Sequence, residues 1–234
     1  MIIAGLEKFT LLDYPGKIAC TIFLFGCNFR CGYCHNPELV LSKPKNSFSK
    51  DKVLSFLEKR KNQLEAVCFT GGEPLLTLEK EFLKSIKKLG YLIKIDTNGS
   101  NPEKLKELID EDLVDFVAMD IKSSGEKYSE VTGVKIKLGK IHESIKIIVS
   151  SKVDYEFRTT ILMKYHNSRE IENIGSQLFE IINKKPKKYV LQGFVNQGKI
   201  IDSHLNTEPN VKKEYLLELK KIAEKYFEKV EIRI

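Results

Sequence analysis

Residues 26–37, GCNFRCGYCHNP, gather Cys27, Cys31, Cys34 and His35 into one short stretch. Cys31, Cys34 and His35 spell C-x-x-C-H, the attachment motif of a c-type haem. The same three with Cys27 make a Cys3His set for zinc. Cys27, Cys31 and Cys34 alone spell C-x3-C-x2-C, three thiolates for an iron–sulfur cluster. A cluster normally takes four cysteines, so three leave one iron open, and an open coordination position belongs to catalysis rather than to electron transfer alone. Against zinc, His35 directly follows Cys34, and adjacent residues rarely both reach one tetrahedral ion. Haem attachment leaves Cys27 unexplained. Cys20 and Cys68 lie in apolar runs and read as small core side chains.

Other polar residues stand where chemistry could use them. Gly71, Gly72 and Glu73 open GGEP, which suits a tight turn or a close backbone approach to a ligand, with Glu73 meeting a positive group. Asp96 in LIKID and Asp120 in FVAMD are carboxylates on apolar strands. Buried carboxylates need partners, and Lys122, a ribose hydroxyl or a cation would each serve. Arg158 in YEFRTTIL offers a planar fork suited to a carboxylate. Taken singly, each is as well explained by a structural ion pair. His142, His166 and His204 sit in polar contexts without spacing partners and read as surface residues. The chain has no G-x-G-x-x-G, Walker A or G-x-S-x-G motif.

The elements that must position these residues alternate from residue 18 onward. Strands are expected at 18–25, 66–70, 91–97, 114–121, 154–162 and 188–194. Between them come helical patterns: one capped by Ser49, one capped by Thr77 and stopped by Gly90, one opening at Pro102, one over 138–151, one starting at Ser168 and a last one over 211–227. KVEIRI is expected as an edge strand. Strands alternating with helices of this length form βαβ units and a mainly parallel sheet with right-handed crossovers. Six such units fit one domain over residues 1–234, with the form of the sheet, open or barrel-like, left open by periodicity. The cysteine loop, GGEP, DTNG and MDIK follow the first four strands, and Arg158 and Gln192 lie in the next two. Parallel α/β folds build their sites at such strand ends.

Composition removes other classes. The formal charge of +7 comes from lysines spread along amphipathic stretches, a solvated surface that could help dock an acidic partner. No basic stripe with interleaved aromatics points to nucleic acid. No run of about 18 apolar residues points to a membrane. The start, MIIAGLEKFTLLDYPGK, lacks the pattern of a signal peptide. A cytoplasmic protein is expected, and the odd count of five cysteines then favours metal binding over disulfides.

C-x3-C-x2-C with Tyr33 before its third cysteine, followed by GGEP after the next strand, resembles the radical S-adenosylmethionine enzymes. GLEKFTLLDYPGKIACTIFLFGCNFRCGYCHNPELV, DTNGSNPEKLKEL, VDFVAMDIK and VDYEFRTTIL resemble, more narrowly, the activating proteins of glycyl-radical enzymes, above all the anaerobic ribonucleoside-triphosphate reductase type. The resemblance implies an α/β fold, a partial (β/α)6 barrel. It implies one 4Fe–4S cluster on Cys27, Cys31 and Cys34, whose open iron binds the methionine part of S-adenosyl-L-methionine. Gly71, Gly72 and Glu73 match the stretch that holds the amino end, Tyr33 and Asn36 the adenosine side, Asp96 and Lys122 the ribose or methionine contacts. Arg158 and Gln192 match less closely. In some relatives a monovalent cation lies by the carboxylates matching Asp96 and Asp120. The implied reaction is reductive cleavage to methionine and a 5′-deoxyadenosyl radical, with flavodoxin or ferredoxin as donor, followed by hydrogen abstraction from a glycine of a partner protein. Residues 35–50 are a candidate partner surface. The chain departs from many relatives at ILMKYHNS, where a Pro-Gly turn is expected, so the lip at 163–168 stands apart. Alternatives are a radical enzyme for a small molecule or peptide, and a non-catalytic iron–sulfur carrier.

Overall fold

Short β-branched runs separated by amphipathic stretches of ten or so residues build an α/β chain whose sheet is mostly parallel. The computed structural model describes residues 1–42, 46–125 and 127–234. Their contacts divide into two units: Met1–Asn28, Asn36–Thr97 and Glu103–Val117 form the first, and Phe29–His35, Asn98–Pro102 and Ala118–Ile234 the second.

In the first unit, β1 (Ile3–Thr10) runs antiparallel to β2 (Ala19–Leu24). After α1 (Pro37–Leu41) and α2 (Lys50–Lys59), β3 (Ala66–Gly71) pairs parallel with β2. After α3 (Lys80–Lys88), β4 (Leu92–Thr97) pairs parallel with β3. Strands β2 and β3 are buried through almost their whole length, as parallel strands covered on both faces must be. Helix α4 (Pro102–Asp110) leads to β5 (Phe116–Asp120), whose first residues belong to this unit and whose last three belong to the second. The second unit continues with α5 (Tyr128–Thr132), α6 (Leu138–Ser150), β6 (Asp154–Ile161), α7 (Ser168–Ile182), β7 (Lys188–Gly193), α8 (Lys213–Ala223) and β8 (Lys229–Arg233). Here β6, β7 and β8 pair parallel in chain order.

Two differences from the expected elements have local causes. Strand β1 precedes the first expected one; Glu7, Lys8 and Phe9 are exposed, because this antiparallel strand turns only part of its surface inward. Thr77 does not cap α3. Pro74 starts a 3-10 turn of its own, Glu73 caps it by accepting the Leu75 N–H at 3.1 Å, and Thr77 ends it; Glu79 stands at the N-cap of α3. Ser49 caps α2 as expected, accepting the Lys52 N–H at 3.3 Å. Among the described residues no helix is long and apolar enough to cross a membrane.

Candidate functional site

In the first unit the glycines of GGEP serve backbone packing. A Cβ on Gly72 would stand 2.1 Å from the carbonyl oxygen of Gly26, so only glycine lets these two chains cross. The Gly72 N–H donates to Leu24 O at 2.8 Å and the Glu73 N–H to Gly26 O at 2.7 Å. GGEP is thereby tied to the residue just before Cys27. The Glu73 side chain is fully buried and accepts from Leu75 N–H and, at 2.7 Å, from Thr97 Oγ1–H. Its carboxylate binds its own turn and the end of β4. Asp96 pairs with Lys94, a lysine buried in the middle of β4 beside Cys68. Asn36 stands at the N-cap of α1.

In the second unit the segment Phe29–His35, with Cys31 and Cys34, is held residue by residue. The Arg30 N–H donates to Thr132 O and the Asp202 N–H to Gly32 O, both at 2.8 Å. Gly32 has no room for a side chain, since its Cβ would lie 2.9 Å from that of Asp202. The Cys34 N–H closes a turn onto Cys31 O at 3.0 Å. His35 donates Nε2–H to Val195 O at 2.9 Å, and its ring stacks on Phe194 with centroids 5.3 Å apart. That nitrogen is committed to a carbonyl, which weakens the zinc reading further.

Cys31 and Tyr33 stand beside a charged cluster from the ends of β5 and β6. Asp120 accepts from Lys122 Nζ and from Arg158 Nε, each at 2.9 Å. Lys122 Nζ lies 6.0 Å from the centre of the Tyr33 ring. Burial works against the charged form of Asp120, yet Arg158 and Lys122 outweigh it and hold the carboxyl well below its usual range. Burial likewise opposes charge on Lys122, and Asp120 outweighs it, so the ammonium persists. Asp120 thus bridges two cationic side chains.

Of the three other histidines, His166 is not a surface residue. It is completely buried, between the backbones of Leu162 and Lys122. Nothing in KYHNS signals this, because its partners are main-chain groups supplied by tertiary structure. Of residues 35–50, positions 43–45 lie outside the described residues.

An iron–sulfur cluster makes definite demands on the side chains that would ligate it. Cys31 is buried, and Cys27 and Cys34 are half-buried. Burial pushes the Cys31 thiol up, and the Lys122 charge pulls it back. Such a buried thiol gains from exchanging its proton for a metal. Among the described residues no three His, Cys, Asp or Glu side chains converge on a single-ion site. A cubane offers separate irons to separate sulfurs and needs no such convergence. The Tyr33 hydroxyl is buried without a hydrogen-bond partner among the described residues, as expected of a group awaiting a ligand. In the second unit, Cys31 and Cys34 with Tyr33 between them fit the chemistry of a cluster with a ligand beside it.

Comparison with known proteins agrees with this chemistry. A sequence model of the Radical SAM superfamily matches residues 21–178. A Methanocaldococcus jannaschii protein, provisionally named a glycyl-radical enzyme activating enzyme, is 34% identical over 99% of this chain and 95% of its own length. A 7-carboxy-7-deazaguanine synthase of Methanospirillum hungatei is 31% identical over 70% of this chain and 69% of its own. In fold, the chain resembles a crystallised domain of pyruvate-formate lyase-activating enzyme from Bacteroides vulgatus, with a TM-score of 0.57, 18% identity, and coverage of 72% of this chain and 98% of that one.

Proposed function

The chain belongs to the Radical SAM superfamily, and from that premise we propose that it is an activating enzyme which generates a glycyl radical on a partner protein, most specifically an anaerobic ribonucleotide reductase. The observation that carries the reading is the group at the ends of β5 and β6: a buried thiol, a phenol without a partner among the described residues, an ammonium and a guanidinium around one carboxylate. A mere electron carrier has no use for such a polar surround. The near full-length likeness to the Methanocaldococcus protein supports the activating role.

In this reading Cys27, Cys31 and Cys34 hold a 4Fe–4S cluster, which when bound supplies the electron that cleaves S-adenosylmethionine. The carbonyls of Gly71 and Gly72 receive the amino end, while Glu73 fixes the turn that presents them. Tyr33 and Asn36 line the adenosine; Asp96 and Lys122 hold the ribose or methionine part, and Arg158 orients Asp120. These residues bind, orient and exclude water, and the reactive chemistry is the cofactor's. Flavodoxin or ferredoxin supplies the electron, and residues 1–234 act as one domain.

The likeness to a 7-carboxy-7-deazaguanine synthase favours a second reading, a radical enzyme for a small molecule. Anaerobic reconstitution followed by low-temperature EPR separates them. The activating reading expects a reduced cluster signal that changes on adding S-adenosylmethionine, 5′-deoxyadenosine production, and a glycyl-radical signal once the reductase is added. Cofactor cleavage with no radical on any candidate glycyl-radical protein would favour the small-molecule reading. A signal indifferent to S-adenosylmethionine would sink both.

A further inference from the structure

Six successive residues after the middle of β5 are tied down one after another. Asp120 receives Arg158 Nε–H. Ile121 donates its N–H to Arg158 O and accepts Thr159 Oγ1–H, both at 2.7 Å. The Lys122 carbonyl lies 2.9 Å from His166 Nε2. Ser123 Oγ–H and Ser124 N–H both donate to Glu170 at 2.6 Å, and Gly125 N–H donates to Gln177 at 3.1 Å. The Lys122 link is the one made by a ring with two distinct nitrogens, and its chemistry is determinate.

The Leu162 N–H donates to His166 Nδ1 at 3.1 Å, so Nδ1 carries no proton. The proton is therefore on Nε2, which donates to Lys122 O. One neutral tautomer satisfies both backbone groups, and a protonated ring would lose the Leu162 bond. Tyr215 Oη–H anchors the same residue from α8, donating to His166 O at 2.8 Å. The ring thus joins the exit of β6 to the backbone of the residue whose ammonium stands beside Asp120, Tyr33 and Cys31.

We propose that His166 is a positioning residue: as the Nε2–H tautomer it latches the carbonyl of Lys122 and so sets where the Lys122 ammonium stands. The proposal concerns the latch; its consequence for S-adenosylmethionine rests on the reading above. Two substitutions divide the ring's two bonds. The amide of His166→Gln reaches the Nε2 position and keeps donation to Lys122. That of His166→Asn reaches the Nδ1 position and keeps only acceptance from Leu162.

In cluster-free protein, the Lys122 carbonyl carbon and side-chain NMR signals are expected to stay in place in His166→Gln and to move in His166→Asn. In reconstituted protein, S-adenosylmethionine affinity should stay within about twofold in His166→Gln and weaken about tenfold in His166→Asn, the size of one hydrogen bond. A purely structural role predicts equal effects, or the reverse order, in the Lys122 signals, and either result overturns the latch. If the signals divide as expected while Lys122→Met binds the cofactor as tightly as the unaltered protein, the latch stands and the reading of Lys122 as a cofactor contact falls.

Discussion

The glycines separate into those the fold requires and those it merely tolerates. A methyl group on Gly72 would occupy the position of the Gly26 carbonyl, so Gly72→Ala must force two backbones apart just before Cys27. Equilibrium denaturation should show a loss of about 3 kcal/mol or more. Gly139, in the first turn of α6, has ordinary backbone angles and nothing within 4 Å of a built Cβ. Gly139→Ala should gain roughly 0.5–1 kcal/mol by reducing the freedom of the unfolded chain. Equal effects at the two positions would refute this account of GGEP. Tyr33 extends the argument from space to polarity. Its buried hydroxyl has no partner among the described residues, so Tyr33→Phe should leave cluster-free stability unchanged or raise it by up to about 1 kcal/mol. Cofactor affinity in the reconstituted protein should nonetheless fall, and a clear loss of stability instead would mean the hydroxyl is already satisfied. The chemistry of such residues is legible where type and spacing are local. The cysteines and GGEP announce themselves in the chain. The commitment of Glu73 to its own turn, of His35 to Val195 and of His166 to two main-chain groups depends on partners far along the sequence, and no local pattern reports it.

Elements were readable to the extent that their signals were local too. Ser49 caps α2 and Gly90 follows the end of α3 with φ of +92°, as a cap and a stop should. Thr77 does not cap α3 because Pro74 builds a separate turn before it, a competition between two short structures that sequence spacing does not resolve. Strand β1 escaped because its charged and exposed positions break the apolar run by which the inner strands are recognised. Helix α7 tests whether caps carry energy here. Asn167 Oδ1 accepts the Glu170 N–H at 3.0 Å, and Glu170 in the same first turn holds Ser123 and Ser124. Asn167→Ala should cost about 1 kcal/mol by chemical denaturation. Amide exchange at Ser124 should rise with it, because fraying the first turn loosens its acceptor. Faster exchange confined to residues 168–170 would show that the cap does not reach the loop it is argued to support.

At the scale of the molecule, buried titratable groups determine how stability responds to acid, and they divide it into two windows. Burial holds the His166 imidazole below its ordinary value, and burial with Lys146 nearby does the same for His142. The unfolded chain therefore takes up protons near pH 6.5 before the folded chain does. Their contribution is complete above that pH and declines as pH falls below it. Buried Glu156 acts lower. It receives both terminal nitrogens of Arg233 at 2.8 and 2.7 Å, with Lys188 at 3.2 Å, and these cations overcome its burial and hold it below the usual carboxylate range. Its contribution is complete above about pH 4.5 and is lost as pH falls further. Denaturation midpoints measured from pH 8 to pH 3 should thus fall gently from about pH 6.5 and more steeply below about 4.5. His166→Gln should flatten the upper decline and leave the lower one. Glu156→Gln should be less stable at neutral pH, since it leaves Arg233 and Lys188 with Glu231 as their shared carboxylate, and should lose part of the lower decline. If His166→Gln and the unaltered protein decline in parallel between pH 7 and pH 5, the folded chain takes up the imidazole proton as readily as the unfolded chain does. The Leu162 N–H would then not be holding Nδ1 against protonation, and the single tautomer on which the latch depends would not be enforced by the fold.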